Sequence, residues 1–251
     1  MSLPSPDHSL WCRRYRPTDT AGARLVCLPH AGGSASYFLP VATALSPRVD
    51  VVSIQYPGRQ DRRGEKPFTD LAPLADQVHE VLRGQPELPL TLFGHSMGAS
   101  LAFEVARRME ADGGQVPTRL FASGRRAPSI FREETVHRLD DAGLLAEIRR
   151  LNGTSSRLLD DDEVMRAALP ALRADYTAAE LYRSAPDATV NCPITVLTGD
   201  RDPKTTLADA HAWARHTTSD EFDVQVYPGG HFFLTERTDE VIKLLEQHFH
   251  S

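Results

Sequence analysis

Short apolar runs alternate with segments of helical period along most of this chain. Arg24–Leu28 is apolar after its first residue and stops at Pro29. Val51–Ile54, Leu90–Phe93, Leu120–Ser123 and Ile194–Leu197 repeat the pattern, each run bounded by polar or turn-forming residues. Strands with so little alternation are buried on both faces, as in a parallel sheet covered by helices. Phe222–Tyr227 does alternate, with Val224 and Val226 on one side, which suits a sheet edge. Between the runs lie amphipathic helices. Leu71, Leu74, Ala75, Val78 and Leu82 form one stripe, with Asp70 placed to cap its start. In Met97–Ala111, Leu101, Ala102, Val105 and Met109 face one way and Glu104, Arg107 and Arg108 the other. A last helix from about Thr238 carries Val241, Ile242, Leu245 and Phe249. Strand and helix in alternation predict an α/β fold with a mostly parallel, doubly wound sheet and right-handed crossovers.

One stretch breaks the alternation. From about 128 to 183 no strand pattern occurs. Leu144, Leu145, Ile148 and Leu151 predict one helix, with Gly153 suited to its C-cap. Val164–Leu181 predicts a second, interrupted or kinked at Pro170. One crossover helix would suffice here, so the block 128–183 reads as a helical lid inserted within a single domain spanning 1–251. The alternative is that its helices simply cover the sheet. Leu144, Leu145, Leu151, Leu158, Met165 and Leu169 fit packing between its helices better than an apolar channel.

At 251 residues the chain is long enough for one substantial core. A net charge of −6 argues against general nucleic-acid binding. No apolar stretch is long enough to span a bilayer, and the first residues carry no signal-peptide pattern. The three cysteines, Cys12, Cys27 and Cys192, are far apart and odd in number, which excludes a disulfide framework or paired metal-binding spacing. A cytoplasmic protein is expected, and a monomer, since no sticky stripe stands out.

The chemistry gathers at the carboxyl ends of the predicted strands, where open α/β sheets place their sites. Gly94-His-Ser-Met-Gly98 follows one strand and opens the helix from Met97, the strand–turn–helix context of a nucleophile elbow with Ser96 at its tip. Asp200-Arg-Asp-Pro203 follows Ile194–Leu197 and offers two carboxylates. Asp202 is preferred as the triad acid, because it lies further past the strand-ending glycine; Asp200 would cap the turn or bind a backbone N–H. Gly229-Gly-His-Phe-Phe233 supplies His231 on a glycine-flanked loop, completing the order Ser, Asp, His. Of the ten histidines, His79, His211, His216, His248 and His250 read as helical or terminal surface. Pro29-His-Ala-Gly-Gly-Ser34 sits where such folds place an oxyanion donor, so the backbone N–H groups of Ala31 and Met97 are assigned to the anion. His30, with Phe232 and Phe233 beside the base, completes the candidate substrate-binding set, although a wall of the core would explain the two phenylalanines too. The whole describes an α/β-hydrolase.

Four motifs carry a more specific resemblance: Pro29–Ser36, Tyr56-Pro-Gly-Arg59, Gly94–Ala99 and Leu169-Pro-Ala-Leu-Arg-Ala-Asp175. In this order, from about Cys12 to Phe249, the chain resembles the type II thioesterases, discrete editing enzymes of polyketide and nonribosomal peptide synthases. The resemblance implies hydrolysis of stalled or mis-primed acyl groups from the phosphopantetheine arm of acyl or peptidyl carrier proteins, with no metal or organic cofactor. A general carboxylesterase would use the same triad. A cyclising thioesterase usually ends a synthase polypeptide, whereas this chain begins at Met1 with no upstream domain. Carrier proteins are acidic, so Arg59, Arg62 and Arg63, or Arg125, Arg126 and Arg132, are candidate docking clusters; a solvated loop paired with Asp61 and Glu65 is the alternative.

Overall fold

The computed structural model of the chain describes residues 7–152 and 162–250. A seven-stranded sheet runs through it in the order β1-β3-β2-β4-β5-β6-β7. The strands are β1 (Cys12–Arg13), β2 (Ala23–Leu28), β3 (Val49–Ile54), β4 (Leu90–His95), β5 (Arg119–Ser123), β6 (Ile194–Gly199) and β7 (Phe222–Tyr227). All neighbours pair in parallel except β1, which lies antiparallel on β3 through Cys12–Ile54 and Arg13–Ser53. The expected mostly parallel, doubly wound sheet is therefore present. The two-residue β1 was not anticipated, being too short to carry a period. As its alternation suggested, β7 is an edge strand, with Val226 exposed.

Helices cover both faces. They are α1 (His8–Trp11), α2 (Leu39–Leu45), α3 (Leu71–Arg83), α4 (Met97–Ala111), α5 (Asp141–Asn152), α6 (Asp162–Leu181), α7 (Leu207–His211), α8 (Phe233–Glu236) and α9 (Thr238–His250). Successive strand residues serve opposite layers, as the pleat requires. Val26, Leu28, Leu92, Leu120 and Val196 pack with the buried stripes of α3 and α4. Leu25, Cys27, Phe93, Phe121 and Leu197 pack with Leu45 of α2 and Val241 and Leu245 of α9. The Asp70 carboxylate accepts the Ala72 N–H at 3.0 Å and caps α3 as expected.

Between β5 and β6 the chain is helical or irregular over its described part, and it builds a third apolar cluster. Leu144 and Ile148 of α5 pack against Met165, Leu169 and Leu172 of α6. Packing thus accounts for Leu144, Met165 and Leu169, while Gly153 and Leu158 lie outside the described residues. No interruption occurs at Pro170, which sits inside one continuous helix.

Two polar residues differ from their expected settings. Glu104 is buried, because Tyr182 closes over it and donates its hydroxyl at 2.8 Å while Arg107 and Arg108 pair with the carboxylate. His216 is fully buried instead of lying on the surface, with Nδ1 2.7 Å from the Ala188 carbonyl and Nε2 2.8 Å from Ser129 Oγ. Among the described residues no helix is long and apolar enough to cross a membrane.

Candidate active site

Ser96 stands between β4 and α4 with φ 55° and ψ −117°, a conformation that L residues rarely hold. Its amide donates to the Ser123 carbonyl at 2.7 Å, pinning the turn to β5. The flanking glycines are required by contact. A Cβ on Gly94 would fall 2.0 Å from the Gly98 carbonyl oxygen, and one on Gly98 would fall 2.0 Å from that of Leu28.

The structure brings the three expected side chains together. His231 Nε2 lies 2.9 Å from Ser96 Oγ, and its Nδ1 lies 2.9 and 3.1 Å from the two oxygens of Asp202. The partners fix the tautomer: Nδ1–H donates to the carboxylate, leaving Nε2 to accept from Ser96. Asp202 also accepts the Lys204 N–H at 2.8 Å, and its side chain is wholly buried. Asp200, the competing carboxylate, is exposed and accepts the Gly229 N–H at 2.8 Å, so it holds the loop that carries His231. That backbone bond is the main reason its carboxyl is held below the ordinary value.

Two further imidazoles crowd His231. The His95 ring centroid lies 5.4 Å from that of His231, and His30 packs edge-on against Phe232 at 4.8 Å and Tyr37 at 4.6 Å. Burial, with His231 and Arg59 adding to it, pushes His30 down to about 3. Burial, then His231 and His30, drives His95 well below its ordinary value. Both are neutral at pH 7, so neither adds a positive charge beside His231.

The Ala31 and Met97 amides donate to no other group among the described residues. Met97 is the first residue of α4, so its N–H lacks an intrahelical acceptor and sits at the positive end of the helix dipole. The next amide in the loop, Gly32, is engaged by Asp175 at 2.7 Å.

Ser96 opens on a small chamber of about 40 Å³ walled by Arg125, Glu134, Tyr176, Glu180, Lys204 and Thr205. His30, Leu151, Tyr176, His231 and Phe232 also border a wider cavity of about 680 Å³, whose far wall includes Ile148, Met165 and Leu172. His30 and Phe232 thus line the cavities as expected. Phe233 does not. It is fully buried, stacked on Tyr227 at 5.3 Å in the α9 layer, because adjacent residues on the tight turn into α8 point apart. Sequence reasoning missed Tyr176 and Lys204. The helical spacing of Leu169, Leu172 and Tyr176 was a usable signal for the first; nothing local marks the second.

Neither basic cluster is an open docking surface. Arg59 is buried against Asp175, and Arg62 is buried beneath Trp11 and paired with Glu65, leaving Arg63 exposed. Arg126 is buried on Glu134, Arg125 donates to Ser100 and the Ala179 carbonyl, and Arg132 pairs with Asp209.

The sheet order, the strand–turn–helix elbow and the position of the serine, aspartate and histidine after β4, β6 and β7 define an α/β-hydrolase. The family model described as "Thioesterase domain" matches residues 23–249, and the chain belongs to that family. It is 52% identical over 240 residues to a probable cadicidin biosynthesis thioesterase of Streptomyces griseus, spanning 96% of this chain and 66% of that relative. It is 50% identical over 245 residues to thioesterase PikA5 of Streptomyces venezuelae, spanning 96% and 86%. Among solved structures, the type II thioesterase BorB from the borrelidin biosynthetic cluster superposes with a TM-score of 0.91 at 48% identity, covering 99% of this chain and all of that one.

Proposed function

We propose that this protein is an editing thioesterase that hydrolyses stalled or aberrant acyl groups from the phosphopantetheine arm of carrier proteins in polyketide or nonribosomal peptide synthesis. One observation carries the mechanism: Ser96, His231 and Asp202 form a continuous hydrogen-bonded chain beside two unengaged amides. The kinship to BorB and PikA5 supports the substrate class.

Ser96 Oγ attacks the thioester carbonyl as His231 Nε2 takes its proton. The oxygen becomes an anion held by the Ala31 and Met97 N–H groups. As the C–S bond breaks, His231 returns the proton to the departing thiol. Water then enters, His231 takes its proton as the hydroxide adds to the acyl carbonyl, and returns that proton to Ser96 Oγ as the adduct collapses to the free acid. Asp202 holds the imidazole in the required tautomer and stabilises its cation. Each step is complete with these groups, so the reaction calls for neither a metal nor an organic cofactor.

The described parts of the block 128–183 act as a helical lid within a single domain. The reading is supported by α5 and α6, whose Leu151, Leu172 and Tyr176 wall the cavities over Ser96. His30 and Phe232 contact the acyl thioester from the opposite side. The protein is read as a cytoplasmic monomer, and its three free, buried cysteines fit a reducing compartment.

The test presents one short acyl group on a carrier protein, on a small thiol, and as an oxygen ester. Preference for the carrier-bound thioester, abolished by Ser96→Ala, is the expected result. Equal rates on all three would reduce the protein to a general esterase.

A further inference from the structure

Two of the motifs in this chain, Tyr56–Arg59 and Leu169–Asp175, contain no member of the triad, yet they converge on one loop. His30–Gly33 carries the Ala31 amide, and three of the backbone groups around that amide are held by buried side chains. Tyr56 donates its hydroxyl to the Pro29 carbonyl at 3.1 Å. Arg59 donates Nη1 to the Gly33 carbonyl at 2.9 Å. Asp175, from α6, accepts the Gly32 N–H at 2.7 Å. Arg59 and Asp175 are themselves joined by two parallel bonds of 2.7 and 2.9 Å, and both are more than nine-tenths buried. Tyr56 lies under the guanidinium, its ring centroid 5.0 Å away.

Gly32 completes the arrangement. Its φ is +75°, and an added Cβ would lie 2.1 Å from Leu172, three residues before Asp175 on the same helix. Helix α6 is therefore seated directly on the loop, by a side chain above Gly32 and a carboxylate on its amide. The bidentate geometry matters, because a planar guanidinium facing a carboxylate fixes direction as well as distance. Burial disfavours the Arg59 cation, but Asp175 more than offsets it, and the guanidinium is held above its ordinary value.

We propose that Arg59 and Asp175 are positioning residues for the oxyanion site: they hold the loop so that the Ala31 amide stays aimed at the same point as the Met97 amide. This rests on the reading of Ala31 as an oxyanion donor. It also assigns α6 a second task, since the helix that roofs the cavity braces the anion site, and displacing α6 removes an acceptor from Gly32. The pair touches no reacting atom; it acts through the loop backbone. A loop so constrained loses no reorganisation energy when the anion forms, whereas a displacement near 1 Å costs about 10²-fold in rate.

The experiment compares wild type, Asp175→Asn, Arg59→Lys and Ser96→Ala with an acetyl thioester of a small thiol. An alkylboronic acid, which adds to the serine as a tetrahedral anion, is the second probe. Thermal unfolding identifies the variants that fold. In either folded variant kcat should fall about 10- to 100-fold with KM within threefold, and boronate affinity should weaken by a similar factor. A lowered Tm with unchanged kcat and boronate affinity would overturn the proposal, leaving the pair a structural tie. A raised KM at constant kcat would overturn it too, in favour of a lid anchor acting on substrate entry. Retained activity in Ser96→Ala would remove the underlying reading and the proposal with it, a result distinct from an active wild type with indifferent variants.

Discussion

Gly98 lies so close to Leu28 that a Cβ added to it would stand 2.0 Å from the Leu28 carbonyl oxygen. This contact sets how closely α4 approaches β2, and so how near Ser96 comes to the loop that follows β2. The obstruction is backbone, which no rotamer change relieves. Gly98→Ala should lower stability by about 1–3 kcal/mol and reduce kcat at least tenfold as the elbow is pushed away. Gly22→Ala is the control, because nothing lies within 4 Å of a Cβ there. Chemical denaturation and single-turnover rates on the two variants decide the matter; equal effects would show that the elbow tolerates the added carbon.

The two carboxylates after β6 have separable duties. Asp202 faces His231 Nδ1, while Asp200 accepts the Gly229 amide. Asp202→Asn keeps the shape but cannot hold the same tautomer, so kcat should drop by about 10⁴. Asp200→Asn retains an acceptor for Gly229 and should stay within a few-fold of wild type. Steady-state kinetics on the pair checks both statements, and a larger loss in Asp200→Asn would reverse the assignment.

Phe232 and Phe233 are neighbours in sequence with different surroundings. Phe232 borders both cavities, whereas Phe233 is buried beside Tyr227. Phe233→Ala should cost about 3–5 kcal/mol of stability by opening a hole in a packed layer. Phe232→Ala should instead change the ratio of kcat/KM between short and longer acyl thioesters, with a much smaller loss of stability. Denaturant titration and a two-substrate comparison separate the roles.

That contrast marks the boundary of what one dimension conveys. Strands buried on both faces must be nearly continuous in apolar residues, so β2, β4 and β6 stand out within a residue or two of their ends. Ser96, Asp202 and His231 were legible because each follows a strand and sits in a turn rich in glycine or proline. A neighbouring pair such as Phe232 and Phe233 offers no such guide, since the turn decides which ring enters the cavity. Arginine burial is equally silent. Arg59 reads as a surface cation until Asp175, 116 residues away, is placed against it. The two-residue strand β1 has no period to detect, and the burial of Glu104 depends on Tyr182, 78 residues away.

The imidazoles around the base predict how stability responds to acid. His95 is fully buried and its pKa is driven well below the ordinary value by burial, with His231 and His30 contributing. His30 is pushed down to about 3 for the same first reason. His30 is neutral in the folded protein at pH 5, and burial makes His95 resist protonation in the range below about 6.5 where the unfolded chain takes up protons. A depressed folded-state pKa contributes stability that is complete above the unfolded value and is lost as pH falls below it. Each such histidine therefore steepens the decline by up to one proton's worth between roughly pH 6 and 5. His95→Gln cannot take up that proton, so its stability should fall less steeply by close to one proton's worth. Urea denaturation at several pH values across the window measures the difference. An unchanged slope would mean that His95 is protonated in the folded state, and its ring would then need an acceptor besides Ser123.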